Sequence, residues 1–313
     1  MLTYTSDELC ALSRHDVTPP RHVRQTIFSL WLWKPKRQRR YAQRHAHLGF
    51  SHSESIDASA ALCVVVNARS VGNKSALLCC MIVDSRLDLL LITETWHENS
   101  ESVSLKRVTP TGFKCAEAAR TLPSACVHSL ELQNYGGIAL IYRSDFKVVR
   151  HQLDVTPSTF ELLCISVATG SKSLLLLGVY RPGSKAVTAE FFDELTSVLE
   201  ISVEHRTYVI CGDLNIHLDD VGDANAARLI DLLQTFNCVQ HVSEPTHLAG
   251  HILDVVISRA DTDVRRLSVG DFVSDHALLS FTLSLQKTPA AAKKIEQLCC
   301  CRLRGRPVSV TVV

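Results

Sequence analysis

Ionisable and amide side chains punctuate this sequence at the ends of short apolar runs. Asn67 follows the first run and Glu94 the second, and Tyr180 and Arg181 close a later one. Asp213 and Asn215 come next, then Asp254 inside its run, then Ser274, Asp275 and His276 just before the last. Strand ends are where a layered α/β protein exposes side chains from a rigid frame, so residues far apart in the chain can meet in one site. Carboxylates, amides, a phenol and an imidazole are the groups that splitting a phosphodiester requires. Water must attack phosphorus in line, while cations and hydrogen-bond donors stabilise the charge that grows on the phosphoryl and departing oxygens. Mg²⁺ takes oxygen ligands for such work, keeps several waters, and uses one or two carboxylates plus substrate phosphate. Each residue taken singly also has a plain structural reading. Gly-Asp-x-Asn is a common turn, Asp275-His276 could cap a strand, Asp254 could be a satisfied core carboxylate, and Tyr180 could be strand packing.

The elements that would hold these residues can be read from periodicity. From Leu62 onward, short β-branched runs alternate with helix-length amphipathic segments, the texture of an α/β or layered α+β domain. Strands are expected at 61–66, 87–92, 136–142, 146–151, 161–168, 173–180, 208–211, 252–258, 264–269 and 277–285, and helices at 74–85, 188–203 and 225–236. The four consecutive strands from 136 to 180, separated by turn residues, predict one antiparallel sheet. This gives three segments: a basic, disordered arm over 1–60, a catalytic domain over 61–286, and a tail over 287–313.

The strings around the polar residues are Leu-Ile-Thr-Glu-Thr-Trp at 91–96, Gly-Val-Tyr-Arg-Pro at 178–182, Cys-Gly-Asp-Leu-Asn at 211–215 and Val-Ser-Asp-His at 273–276. In order and spacing they resemble the endonuclease/exonuclease/phosphatase superfamily from about Leu62 to Leu285. Within it, Asn67-Ala68-Arg69-Ser70, Thr93-Glu94-Thr95-Trp96 and Pro245-Thr246-His247 through Leu253-Asp254 look most like the endonuclease domain of LINE-type (non-LTR) retrotransposons. The arginine and Trp-Cys-Asp-Arg-type strings of the inositol phosphatase branch are not found. The resemblance implies an α/β (α+β) four-layered sandwich, two mainly antiparallel sheets packed face to face with helices outside. It implies nicking of DNA to leave a 3′ hydroxyl, with Mg²⁺ as cofactor and Mn²⁺ as its substitute. Carried over residue by residue, Glu94, Asn67 and Asp275 would hold or flank the metal. Asp213 would orient and deprotonate water, and Asn215 and Tyr180 would donate to phosphate oxygens. His276 would act as a cationic donor oriented by Asp254, and Arg69, Arg181, Ser274 and Thr246 would contact substrate. Gly183, where the family often has a second proline, and Ile252, where it often has threonine, are departures that bear on loop geometry.

The rest of the composition bounds this reading without supplying it. Lys+Arg 33 against Asp+Glu 32 leaves almost no net field, so attraction to DNA must come from local clusters. One such cluster is the run from Lys34 to Arg40, readable as a nuclear localisation signal, a nucleic-acid clamp or a solvated tail. Twelve cysteines without a C-x-x-C pair, three of them in apolar runs, fit buried thiols in a reducing compartment and not structural zinc. His241, His247 and His251 lie in a loop flanked by Pro245 and Gly250, which argues against a helical zinc motif. His217-Leu218-Asp219-Asp220 reads as a loop, and the cysteine triplet at 299–301 as incidental tail. No apolar stretch approaches the roughly 18 residues of a membrane helix. The expectation is an intracellular, nuclear protein with DNA as partner, no membrane association and no obligate protein partner. Two alternatives stay open on the residues alone: a phosphodiesterase acting on a non-nucleic-acid phosphoester, and a catalytically silent nucleic-acid-binding remnant.

Overall fold

The computed structural model describes residues 60–120, 135–169 and 172–285; the basic run and the cysteine triplet lie outside them. In chain order the elements are β1 (Ala61–Asn67), α1 (Ser75–Asp84), β2 (Leu89–Thr93), α2 (Val103–Val108), β3 (Phe113–Ala118), β4 (Ile138–Arg143), β5 (Lys147–His151) and β6 (Glu161–Thr169). They continue with β7 (Lys172–Tyr180), α3 (Ala189–Ser202), β8 (Tyr208–Asp213), α4 (Ala224–Thr235), β9 (Cys238–Gln240), β10 (Asp254–Arg259), β11 (Val264–Phe272) and β12 (Ala277–Leu283).

The strands form two six-stranded sheets, ordered β11-β12-β1-β2-β4-β3 and β5-β6-β7-β8-β10-β9. Each sheet contains one parallel pair, β1 with β2 and β7 with β8, and is otherwise antiparallel. Alternate side chains set the layers. Cys63, Val65, Leu89, Leu91, Ile138 and Leu140 of the first sheet pack against Leu163, Ile165, Leu174, Leu176, Val209 and Val256 of the second. The opposite face of the second sheet, with Leu175, Leu177, Tyr208, Ile210 and Val255, is covered by Phe191, Leu195 and Val198 of α3 and Leu229 and Leu233 of α4. Strands covered on both faces read as unbroken apolar runs, which is why β1, β2 and β8 are buried at every position. The helices α3 and α4 start at side-chain caps: Thr188 accepts from the Phe191 N–H, and Asp223 from the N–H groups of Asn225 and Ala226. Among the described residues no helix is long and apolar enough to cross a membrane.

The sandwich matches the sequence expectation, with one topological correction. The strands between 136 and 180 do not form one antiparallel sheet: β4 belongs to the first sheet and β5, β6 and β7 to the second. A two-residue period states which side chains are buried but not which sheet a strand joins, and the chain changes sheet at the turn carrying buried Phe146. Three elements have weak sequence signals: the short α2, the three-residue β9, and β3, an edge strand with no fully buried position.

Candidate functional site

Strand register alone gathers the key residues at one rim. In the second sheet Glu161, Tyr180, Asp213 and Asp254 are cross-strand neighbours in succession, since Glu161 pairs with Tyr180, Tyr180 with Asp213 and Asp213 with Asp254. In the first sheet Asn67 pairs with Thr93, so Glu94 leaves its strand beside Asn67. Across the gap the Asn67 Nδ2 donates to Glu94 Oε1 (2.9 Å) and to Asp213 Oδ2 (2.7 Å), so one amide joins a carboxylate from each sheet. Glu94 Oε1 also accepts from the Tyr180 hydroxyl (3.0 Å), and Oε2 from the Trp96 indole (3.2 Å). Asp213 is fully buried; it accepts from the Asn215 N–H (2.9 Å) and the Asn215 side-chain amide (3.0 Å). His276 Nε2 stands 3.8 Å from Asp213 Oδ2, and its Nδ1 is 2.8 Å from Asp254 Oδ2.

The connecting backbone is forced into unusual shapes to present these groups. Arg69, Ser70, Glu94, Trp96 and Asn215 have φ of 40, 84, 49, 54 and 51°, a region costly for residues with side chains. Hydrogen bonds hold it: the Ser70 N–H donates to the Glu94 carbonyl (2.7 Å) and the Val71 N–H to that of Thr95 (3.2 Å). Gly212, at φ 139°, lies where a side chain would meet the Val179 carbonyl, so the bend before Asp213 requires glycine.

The electrostatics follow from burial and neighbours. Burial pushes the Asp213 carboxyl above its ordinary range, and the Asp254 charge pushes it further in the same direction. Burial alone would lower His276, but Asp254, with Asp213 and Asp275, outweighs it and raises the imidazole to about 9. Tyr180 is pushed up by burial and by the Glu94 and Asp213 carboxylates, so it stays a phenol. Next to this rim a cavity of about 560 Å³ is lined by Arg69, Ser70, Asn73, Lys74, Trp96, Ser274 and Asp275. Burial lowers Lys74 there to about 8.

Of the sequence candidates, Asn67, Glu94, Tyr180, Asp213, Asn215, Asp254 and His276 are joined by the continuous set of contacts above. The five others stand differently. Arg181 is buried, and its guanidinium donates to the carbonyls of Leu214 (2.6 Å), Asn215 (2.6 Å), Lys185 (2.6 Å) and Pro182 (3.2 Å). It braces the loop carrying Asn215 and has no face left for substrate. Thr246 is also fully buried, its hydroxyl accepting from the N–H groups of Leu253 and Asp254 (both 3.1 Å), which secures the start of β10. Ser274 donates to the Asn67 carbonyl (2.7 Å) and accepts from the His276 N–H (3.0 Å), clipping the β11–β12 turn to the end of β1 within the first sheet. Asp275 turns to Arg69 (2.5 Å) and His247 (3.4 Å) instead of to Glu94 and Asn67. Arg69 remains half-exposed on the cavity wall.

The structure adds residues that the sequence reading passed over. Trp96 was visible only as part of its string, yet it donates to Glu94. His247 forms a bridge with His276, its ring 4.9 Å away. The three loop histidines separate: His241 bonds Ser258 (2.9 Å) and His251 bonds Asp219 (3.0 Å) while stacking on His217. Among the described residues two groups could bring ligand atoms to one ion, Asp213 with Asp254 and His276, and His247 with Asp275 and His276. The Glu94 and Asp213 carboxylates meet at the Asn67 amide nitrogen between the sheets, while the Asn67 Oδ1 accepts from the Arg69 N–H; carboxylate oxygens are hard donors that suit a small hydrated divalent cation better than zinc.

Residues 174–280 match the family described as endonuclease-reverse transcriptase. The fold is similar to that of the endonuclease domain of TRAS1, a telomere-specific non-LTR retrotransposon, at 16% identity and TM-score 0.58 over 73% of this chain and all of that one. It is also similar to an AP endonuclease from Leishmania major, at 13% identity and TM-score 0.58 over 75% of this chain and 90% of that one. A 3′ phosphatase from Neisseria, bound to a product DNA hairpin, aligns at 16% identity and TM-score 0.55 over 71% of this chain and 98% of that one. No curated protein matches the chain by sequence.

Proposed function

From a chain that has the fold of the endonuclease/exonuclease/phosphatase superfamily and the endonuclease-reverse transcriptase sequence pattern, we propose a Mg²⁺-dependent endonuclease. It nicks DNA to leave a 3′ hydroxyl, derives from a retrotransposon, and has its catalytic unit within 61–286. The observation that carries the reading is the unbroken path Glu94–Asn67–Asp213–His276–Asp254, which ties both sheets together at one rim.

The roles follow from the contacts. Glu94 would hold the cation, with Asn67 beside it; the Asn67 Oδ1 accepts from the Arg69 N–H (3.0 Å), and turning the amide over would free that oxygen for the cation. The ion would supply positive charge to the phosphate oxygens. Asp213, whose proton affinity is raised by burial, receives the proton of the attacking water. The Asn215 amide and the Tyr180 hydroxyl donate to phosphate oxygens, and the phenol keeps its proton for this. His276, cationic across neutral pH, offers its Nε2–H to the same oxygens while Asp254 holds Nδ1. Arg69 and Lys74 line the adjoining cavity and attract the flanking backbone phosphates. DNA as substrate makes the nucleus the compartment of action, served by the basic run from Lys34 to Arg40.

Purified protein with Mg²⁺ should convert supercoiled plasmid to open circles, and Asp213→Ala and His276→Ala should not. Equal conversion by all three proteins sinks the mechanism. A panel of intact DNA, abasic DNA, RNA and small phosphoesters separates this reading from a phosphodiesterase with another substrate. DNA binding without turnover at any Mg²⁺ concentration would mark a silent remnant.

A further inference from the structure

Behind Glu94 lies a second polar chain that faces the protein and not the solvent. Residues 94–97 split by parity. On the solvent side Trp96 donates to Glu94. On the inner side the Thr95 hydroxyl lies 2.5 Å from His97 Nδ1, and His97 Nε2 lies 2.7 Å from Glu117 Oε2 on β3. Thr95 is fully buried and the His97 side chain has no exposure, so neither can meet a substrate, whereas Glu117 is at the edge of solvent. With the Nε2–H donating to the Glu117 carboxylate, the Nδ1 lone pair accepts from the Thr95 hydroxyl.

The surrounding backbone makes this chain rigid. The Thr95 N–H donates to the Gly137 carbonyl (3.1 Å) and the Trp96 N–H to that of Gly136 (2.8 Å). Gly137 has φ +94°, and a Cβ there would lie 2.5 Å from the Thr95 hydroxyl and 2.8 Å from His97 Nδ1. The Gly137 N–H is held in turn by Glu161 (2.6 Å), which is ion-paired with Arg120. Glu94 and Trp96 both occupy left-handed backbone, so their side chains depend on what grips the residues between and after them. A helix or strand would supply that grip through its ladder; at this irregular turn four backbone hydrogen bonds supply part of it, and the side chains of Thr95 and His97 add to them.

We propose that Thr95, His97 and Glu117 are positioning residues that fix the Glu94 carboxylate for a divalent cation, acting through the turn and not by contact. The inference rests on the proposed function of the rim, and cation binding tests it directly. Outer partners that orient a ligand typically change metal affinity by 10- to 100-fold. The probe is Mn²⁺, whose free concentration is read by electron paramagnetic resonance during titration of the full chain. Thr95→Val keeps shape and removes only the hydroxyl. His97→Phe removes both polar contacts, and His97→Gln restores a donor towards Glu117. Dissociation constants about tenfold higher for Thr95→Val and His97→Phe, with recovery towards the native value in His97→Gln, support the relay, because a purely structural role lowers the melting temperature without moving the affinity of the folded fraction. Should His97→Phe fail to fold, Thr95→Val decides alone. Native affinity in a folded Thr95→Val overturns the relay while leaving the nuclease reading intact. A native chain that binds no Mn²⁺ overturns the reading of the rim, and the relay with it.

Discussion

Asp254→Asn removes one charge and keeps the shape of the side chain, so its effect isolates what Asp254 does for His276. The imidazole, at about 9 against an ordinary 6.5, is held in its cationic form by about 3 kcal/mol. Burial opposes that form, and Asp254 is the leading group that offsets it, ahead of Asp213 and Asp275. With Asn at 254 the other two carboxylates remain, so the imidazole should fall by about one to two pH units. If nicking needs His276 as a cation, the alkaline limb of kcat/KM moves down by the same amount. At pH 8 the native imidazole is about nine-tenths protonated; at a value near 7 it is about one-tenth protonated, roughly a tenfold loss from protonation alone. Initial rates of plasmid nicking between pH 6 and 9.5 at fixed Mg²⁺ measure it. Stability carries the same signature. A group whose proton is bound more tightly in the folded state stabilises fully below its unfolded value, and that contribution is lost as pH rises through the folded value. The native urea midpoint should therefore fall between about pH 6.5 and 9, and the Asp254→Asn midpoint should fall less. An alkaline limb that stays in place in a folded variant refutes the role of His276 as the cationic donor.

Asp213→Asn should abolish nicking by about 10²-fold or more while leaving the melting temperature equal or higher, because it replaces a buried carboxylate whose charge burial disfavours; a loss of stability by thermal melt contradicts that account. Gly183→Ala places a Cβ 2.7 Å from the Asn215 Oδ1, so kcat should drop by about tenfold with KM little changed, read by steady-state nicking of an oligonucleotide duplex. Arg181→Met leaves the Leu214, Asn215 and Lys185 carbonyls without their buried donor and should cost about 2 to 4 kcal/mol in urea unfolding, together with most of the activity.

How much of this could be seen in the sequence depends on how local the cause is. The strand ends were legible because burial on both faces leaves unbroken apolar runs, and the first polar residue that closes such a run, as at Asn67, Glu94 and Asp213, is the one that meets its partners at the rim. The change of sheet between β4 and β5 was not legible, because alternation at 146–151 is the same whichever sheet the strand joins. Nor was the difference between Arg69 and Arg181, two arginines flanking key motifs. One faces the cavity and the other turns inward to carbonyls that sit 33 and 34 positions along the chain, and only the folded loop reveals those acceptors. His97 has the weakest sequence signal of all, since its partner Glu117 lies on an edge strand with no clean period.

The left-handed residues show why stability and function compete at this rim. Eight non-glycine residues among those described have positive φ, and five of them, Arg69, Ser70, Glu94, Trp96 and Asn215, belong to the loops of the site. Each costs of order 1 kcal/mol or more and persists because neighbouring groups leave it no alternative: Ser70 is bonded to the Glu94 carbonyl, Trp96 to that of Gly136, and Asn215 to Asp213 and Arg181. The parallel β1–β2 and β7–β8 pairs run straight into these bends, so the ladder hydrogen bonds of both sheets anchor one end of every strained loop. A strand that simply continued in extended form would keep residues two apart on one face but carry them about 7 Å apart along it. The left-handed turn after Thr93 instead folds Trp96 back until its indole donates to Glu94, and the one after Asp213 brings the Asn215 amide back onto the Asp213 carboxylate. The strain is therefore the geometric condition for convergence.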